Sequence, residues 1–377
     1  MSVQYEYEYK GRFAMKKTVK VLGKFAESVL LAAGFAGLII CRKEISEGVR
    51  EGIIYSINAL LPSLLPFMFL SAVLSRRPLY IGICRVISPV TRYIFHLPEA
   101  CGGAILSGLC FGYPVGAKMT AELLEKGEIG PEEAGRMLCF CVNPGIAFTV
   151  LFLGGEVLDS YIGGLTLYTA VTLACLICGF VLSLGAEKPL HKSLQVKQES
   201  FINSVNYGVH SSAKACLSML MYIVIFRAIC SFLEAIDCFA FKSEDLRLIF
   251  CFLLEVTTGI DEATKACSSV SIFAFGLGFG GICLIFQLLA FFRKRPAGFA
   301  VLFAARLFQS LMSAVLARLM IKFLPLPNES LEVFSSHSVN IPGGLEAEPL
   351  GFIFLVLLFG AYILSGSKIG VEKGVKR

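Results

Sequence analysis

Eight stretches of this chain, at about 19–41, 53–74, 137–153, 161–184, 205–233, 270–292, 298–322 and 349–366, are apolar. Each has about the length a helix needs to cross the roughly 30 Å hydrocarbon core of a bilayer. Nothing else in the sequence constrains the fold as strongly. In hydrocarbon every backbone polar group must be satisfied within the protein, which leaves helices or closed barrels. Of the 377 residues 56% are apolar and 16% charged, whereas a globular domain carries charge nearer about a quarter. The sequence predicts an all-α, polytopic membrane protein in contact with the lipid bilayer, and excludes a soluble domain with a large core.

The basic residues set the orientation. Lys10, Arg12, Lys16, Lys17 and Lys20 precede the first run. Lys188, Lys192 and Lys197 lie in one loop, Arg293-Lys294-Arg295 follow the run 270–292, and Lys368, Lys373, Lys376 and Arg377 end the chain. These places are expected to be cytoplasmic. The segments 154–160 and 323–348 carry only acidic charge and are expected outside. Clustering beside apolar runs makes the net charge of +6 a topology signal rather than a nucleic-acid footprint. Met15-Lys16-Lys17 resembles a second translation start, and the length of the run 19–41 favours an uncleaved first helix.

Chemistry-bearing motifs are few. Most of the 14 cysteines lie inside apolar runs, where cysteine packs as a small hydrophobe. Cys139 and Cys141 have no histidine or carboxylate at zinc spacing, so neither a metal nor a cofactor is expected. The segment GYPVGAKMT (112–120) lacks the spacing of a phosphate-binding loop, which argues against nucleotide hydrolysis. No triad or metalloprotease pattern is present, and the chain is expected not to be an enzyme.

Two further apolar stretches are interrupted: 80–117, around Pro89 and His96-Leu97-Pro98, and 246–268, at Thr257-Thr258-Gly259. The charge bookkeeping closes only if each enters and leaves on one side, as paired short helices or a re-entrant hairpin. SINALLPSLLPFMFL (56–70) aligns without gaps to SAKACLSMLMYIVIF (212–226), and a glycine-broken segment follows each. The first of these helices is expected to run outside to inside and the second inside to outside. An inverted repeat with broken helices near the midplane is the architecture of many secondary transporters. Gly112, Pro114 and Gly116 would unwind a membrane helix, and the restarted helix would aim its positive end at a cavity. That arrangement favours a small anionic substrate.

The motifs GYPVGAK (112–118), EKGEI (125–129), NPG (143–145), LLEVTTG (253–259) and FGG (279–281) resemble those of the YlbJ/SpoVV family of sporulation integral membrane proteins. The resemblance covers roughly residues 45–322. It implies two nucleoside-recognition "gate" repeats, as in concentrative nucleoside transporters. It also implies movement of dipicolinic acid from the mother cell across the outer forespore membrane during sporulation. Under it the chain divides into a cytoplasmic segment 1–18, a first transmembrane helix 19–44 and a first gate repeat 45–184. A cytoplasmic linker 185–200, an inverted second repeat 201–322, an extracytoplasmic loop 323–348, and a last helix with basic tail 349–377 follow. The alternatives are a gate-domain permease for nucleosides or another organic anion, and a non-transporting scaffold. A second copy of the chain and other sporulation membrane proteins are the partners left open.

The candidate substrate-binding residues are Gly112, Tyr113, Pro114, Gly116, Lys118, Asn143, Glu255, Thr257, Thr258, Gly259 and Arg306. Lys118 either neutralises a carboxylate or snorkels to the interface. Asn143 sits mid-span, where an amide needs a ligand or a neighbouring helix. Glu255 is expected to carry a coupling proton or to pair with a cation such as Lys118. Arg306 and Gln309 share a helix face, and Arg306 is either a second anion-binding cation or a snorkelling residue near the cytoplasmic end. For Gly278, Gly280 and Gly281 close packing is weighed above ligand contact.

Overall fold

The computed structural model describes residues 28–29, 31–187, 189, 200–238, 243–266 and 268–323. The expected cytoplasmic segment 1–18, most of the linker 185–200, the loop 323–348 and the last helix 349–377 lie outside the described residues. What is described is helical, with no strand among the described residues. Among the described residues five helices are long and apolar enough to cross a membrane: Arg42–Leu74, Tyr161–Ser183, Phe201–Ala235, Val270–Ala290 and Phe299–Lys322. The chain is an all-α polytopic membrane protein, as its apolar runs require.

The elements fall into two passes with parts in common: a long opening segment, a short helix pair, an interrupted helix and a long closing helix. The first pass has one more helix before its short pair. After α1 (Leu31–Ile40), the first pass opens with α2 (Arg42–Tyr55) and α3 (Leu61–Leu74), joined by a π-helical turn at Ser56–Leu60. Then come α4 (Pro78–Pro89), the short pair α5 (Cys101–Phe111) and α6 (Tyr113–Glu125), and α7 (Pro131–Phe140). A π-helical segment, Ala147–Val157, and α8 (Tyr161–Ser183) complete it. The second pass is α9 (Phe201–Ala235), the short pair α10 (Glu244–Leu254) and α11 (Val256–Lys265), the broken helix α12 (Val270–Phe279) and α13 (Gly281–Ala290), and α14 (Phe299–Phe323).

Both short pairs fold back on themselves. Gly108 and Gly116, four residues either side of Gly112, are in contact, so close that a methyl on Gly108 would stand 2.8 Å from the Cα of Gly116. Gly112 has φ 114° and ψ 167°, a region open essentially only to glycine, and this residue makes the reversal. In the second pair Glu255 is extended at the tip, and Gly259 lies against the backbone of Phe252. Each helix of a pair has 10 to 13 residues. At 1.5 Å per residue that is too short to span the core, so these are two re-entrant hairpins.

The structure narrows the expected first interruption. Residues 78–94 are helical through Pro89, so only the break at His96–Pro98 is seen there, and the expected break at Gly112 follows it. The run 137–153, expected as one span, is also interrupted, between Phe140 and the π-helical segment that begins at Ala147. The two opening helices run antiparallel. Gly52 packs against Val224, the Cys216 thiol lies 3.5 Å from the sulfur of Met68, and Gly208 meets Val73. α8 and α14, which close the two passes, also pack on one another.

Candidate functional site

Four interruptions of the backbone converge on one cavity: the tip of hairpin 1 (α5–α6), Pro144-Gly145, the tip of hairpin 2 (α10–α11), and Gly280 between α12 and α13. Gly280 and Gly281 have φ 76° and 86°, which lets the helix stop and restart within one residue. The cavity measures about 40 Å³, room for about two or three waters. It is mostly apolar, with Leu60, Leu64 and Phe148 on one side and Gln287 on another.

Arg306 lies behind the Gly280 turn and is 0% exposed. Its Nε donates to the Phe279 carbonyl (2.9 Å), and its Nη1 donates to the Val142 carbonyl and to Gln309 Oε1 (both 2.7 Å). These carbonyls lie at the break after α12 and in the break after α7, so one guanidinium ties together interrupted helices of both passes. Its Nη2 has no partner among the described residues, and Arg306 has no carboxylate partner there either. A methyl built on Gly280 would sit 3.1 Å from that nitrogen. The adjacent α13 starts without a side-chain cap, so its unpaired amides add positive potential at the same place. Burial makes this an uncompensated cation, which is costly unless an anion arrives. The expected snorkelling of Arg306 to the cytoplasmic end is not what the structure shows.

Tyr113 is the lid over this cation. Its hydroxyl donates to the Leu277 carbonyl, and its ring centre is 5.4 Å from the Arg306 guanidinium carbon. The hairpin 1 tip is thereby fastened to α12 of the other pass. Gly112 and Pro114 line the cavity beside it.

Glu255 does not make the expected pair with Lys118. Its carboxylate caps α11, accepting from the amides of Thr257 (2.9 Å) and Thr258 (2.8 Å) and from both of their hydroxyls. Lys118 pairs instead with Glu122 at 3.9 Å on its own helix. With its first amides occupied, α11 cannot offer them to a substrate. α13 has no side-chain cap, whereas in α6 Pro114 has no N–H and the Val115 amide donates to the Gly112 carbonyl.

Glu255 and Thr257 also line the cavity, whereas Arg306 lies behind its wall and the remaining candidates lie away from it. Asn143 donates to the Leu109 carbonyl (3.1 Å) and to Thr172 Oγ1 (2.9 Å), bracing α5 against α8. Gly116 is packed under the Cys141 carbonyl and Gly259 under Phe252. Thr257 does line the central cavity, whereas Thr258 lines a second, polar cavity on the far side of hairpin 2. One residue beside that second cavity escaped the sequence reading. Arg227, 6% exposed in the middle of α9, pairs with Asp261 of α11. A lone arginine inside YIVIFRAICSF was the available signal.

The sequence is similar to the sporulation integral membrane protein YlbJ of Bacillus subtilis (strain 168), 26% identical over 327 residues that cover 73% of this chain and 77% of the relative. That similarity bears out the resemblance seen in the motifs. No family model matches the sequence. No solved structure matches it.

Proposed function

We propose that this integral membrane protein acts in sporulation, as its relative's name indicates, and transports a small aromatic dicarboxylate. Dipicolinic acid, moved across the outer forespore membrane, is the candidate substrate. The observation that carries this reading is Arg306, a fully buried guanidinium with an unpartnered Nη2 beside the uncapped start of α13. A carboxylate on Nη2 would complete the guanidinium's hydrogen bonds and cancel its charge. The apolar walls suit an aromatic ring. The cavity is small for such a molecule, so binding requires a hairpin tip to move.

Ligand-induced stabilisation tests the reading. Full-length protein in detergent would be heated with dipicolinate, with the mono-acid picolinate, and with uridine. Dipicolinate is expected to raise Tm in proportion to the logarithm of its concentration, by linkage. Picolinate should raise it less and uridine not at all, and Arg306→Gln should abolish the effect. Stabilisation by uridine alone would favour the nucleoside permease, and stabilisation by none of them the scaffold.

A further inference from the structure

Two adjacent residues at the tip of hairpin 2 face different cavities: Thr257 the central one, and Thr258 a polar one of about 320 Å³ on the opposite side. The first turn of α11 therefore has one cavity on each side. That turn is held from outside the hairpin by Arg227. Its Nη2 donates to Asp261 Oδ2 on α11 and lies 3.4 Å from Thr257 Oγ1, which in turn donates to Glu255. Its Nη1 is 3.8 Å from Glu51 on α2. The ring of Tyr55 covers the guanidinium at 4.6 Å. One side chain of α9 thus joins the opening helix of the first pass, the hairpin helix and the hairpin tip. Its Nε, without a partner among the described residues, belongs to a residue that lines the polar cavity.

We propose that Arg227 is a positioning residue that latches hairpin 2 shut, and that the polar cavity is the vestibule from which the central cavity is reached when the latch opens. The proposal rests on the reading of the central cavity as the ligand site, but the latch can be tested without any ligand. Hairpin 2 enters and leaves on one side, between α9 and α12, and by the charge rule that side is extracytoplasmic. The vestibule walls carry Glu44, Glu47, Glu51, Glu234, Asp261 and Glu262 against Arg227, Arg247 and Lys265. A surplus of carboxylates there disfavours rebinding of a released dianion and favours outward discharge. Swinging α11 away must separate Arg227 from Asp261 and pull Thr257 off the guanidinium. The turn below then no longer closes the central cavity.

Native cysteines report the state of this latch. Cys283 lines the central cavity and is 2% exposed; Cys175, on α8, is 0% exposed and lines neither cavity. Full-length protein in lipid nanodiscs would be treated with a water-soluble charged methanethiosulfonate, and the label located by peptide mass mapping. In Asp261→Asn and Arg227→Gln, labelling of Cys283 is expected to rise on the order of tenfold over wild type, as for a minor open state freed from its restraint. Cys175 should stay unlabelled. Arg227→Lys covers the case in which the neutral variants do not fold. A single ammonium cannot hold Asp261 and Thr257 together, so a smaller rise of about threefold is expected there. Wild-type labelling of Cys283 in the folded variants, or Cys283 and Cys175 rising together, would overturn the latch. Because no substrate is present, either outcome leaves the transport reading to its own test.

Discussion

At the scale of single residues, the site is built from charges that answer to the backbone. Arg306 serves two carbonyls at helix breaks and keeps one nitrogen over, whereas Glu255 spends both oxygens on the start of α11. Replacing Arg306 by glutamine leaves buried acceptors unpaired, at about 1–3 kcal/mol each. The variant is therefore expected to unfold at lower temperature and to lose anion stabilisation; unchanged anion stabilisation would place the ligand elsewhere. Arg306→Lys keeps the charge but not the three-way geometry, so it should recover affinity less than stability. Gly112 is the second residue on which the site depends. Its backbone conformation costs about 1–3 kcal/mol in any other residue, and a methyl there would also press on Leu64 at 3.3 Å. Gly112→Ala should lower the Tm in detergent and reduce ligand stabilisation together.

At the scale of elements, the hairpin tips decide what a ligand can touch. Glu255 as the cap of α11 makes a prediction that distinguishes it from a proton carrier. Glu255→Ala should cost about 0.5–2 kcal/mol, in the range of a lost N-cap, and hydrogen–deuterium exchange should speed up in residues 256–265 first. If instead exchange there is unchanged while proton-driven uptake disappears, Glu255 carries a proton and the capping account fails. Much of this level was legible in the sequence. Gly112 and the EVTTG segment marked breaks in otherwise apolar runs, and the opposing directions of 53–74 and 205–233 followed from charge. The fold-back was harder to see, because Gly108 and Gly116 look like ordinary small residues until their helices touch. The same limit hid the capping role of Glu255: a buried carboxylate next to two threonines reads equally as a cap, a proton site or half of an ion pair. Arg227 was missed for a different reason. It lies in an unbroken helix, where the only mark is the charge itself, costly inside an apolar run wherever it occurs.

At the scale of the whole molecule, two passes meet at one small cavity, and side chains cross between them. Tyr113 reaches from hairpin 1 to α12, Arg306 from α14 to the break after α7, and Arg227 from α9 to Glu51 of α2. Loosening of one hairpin can therefore be felt by the other pass through bonds that are either made or broken. The most direct measurement is uptake of labelled dipicolinate into proteoliposomes containing the full-length protein, compared with Arg306→Gln. The account expects saturable uptake in the wild type that the variant lacks while still reconstituting as a folded protein. No uptake by folded wild-type protein under any imposed ion gradient, or equal uptake by the two, would contradict it.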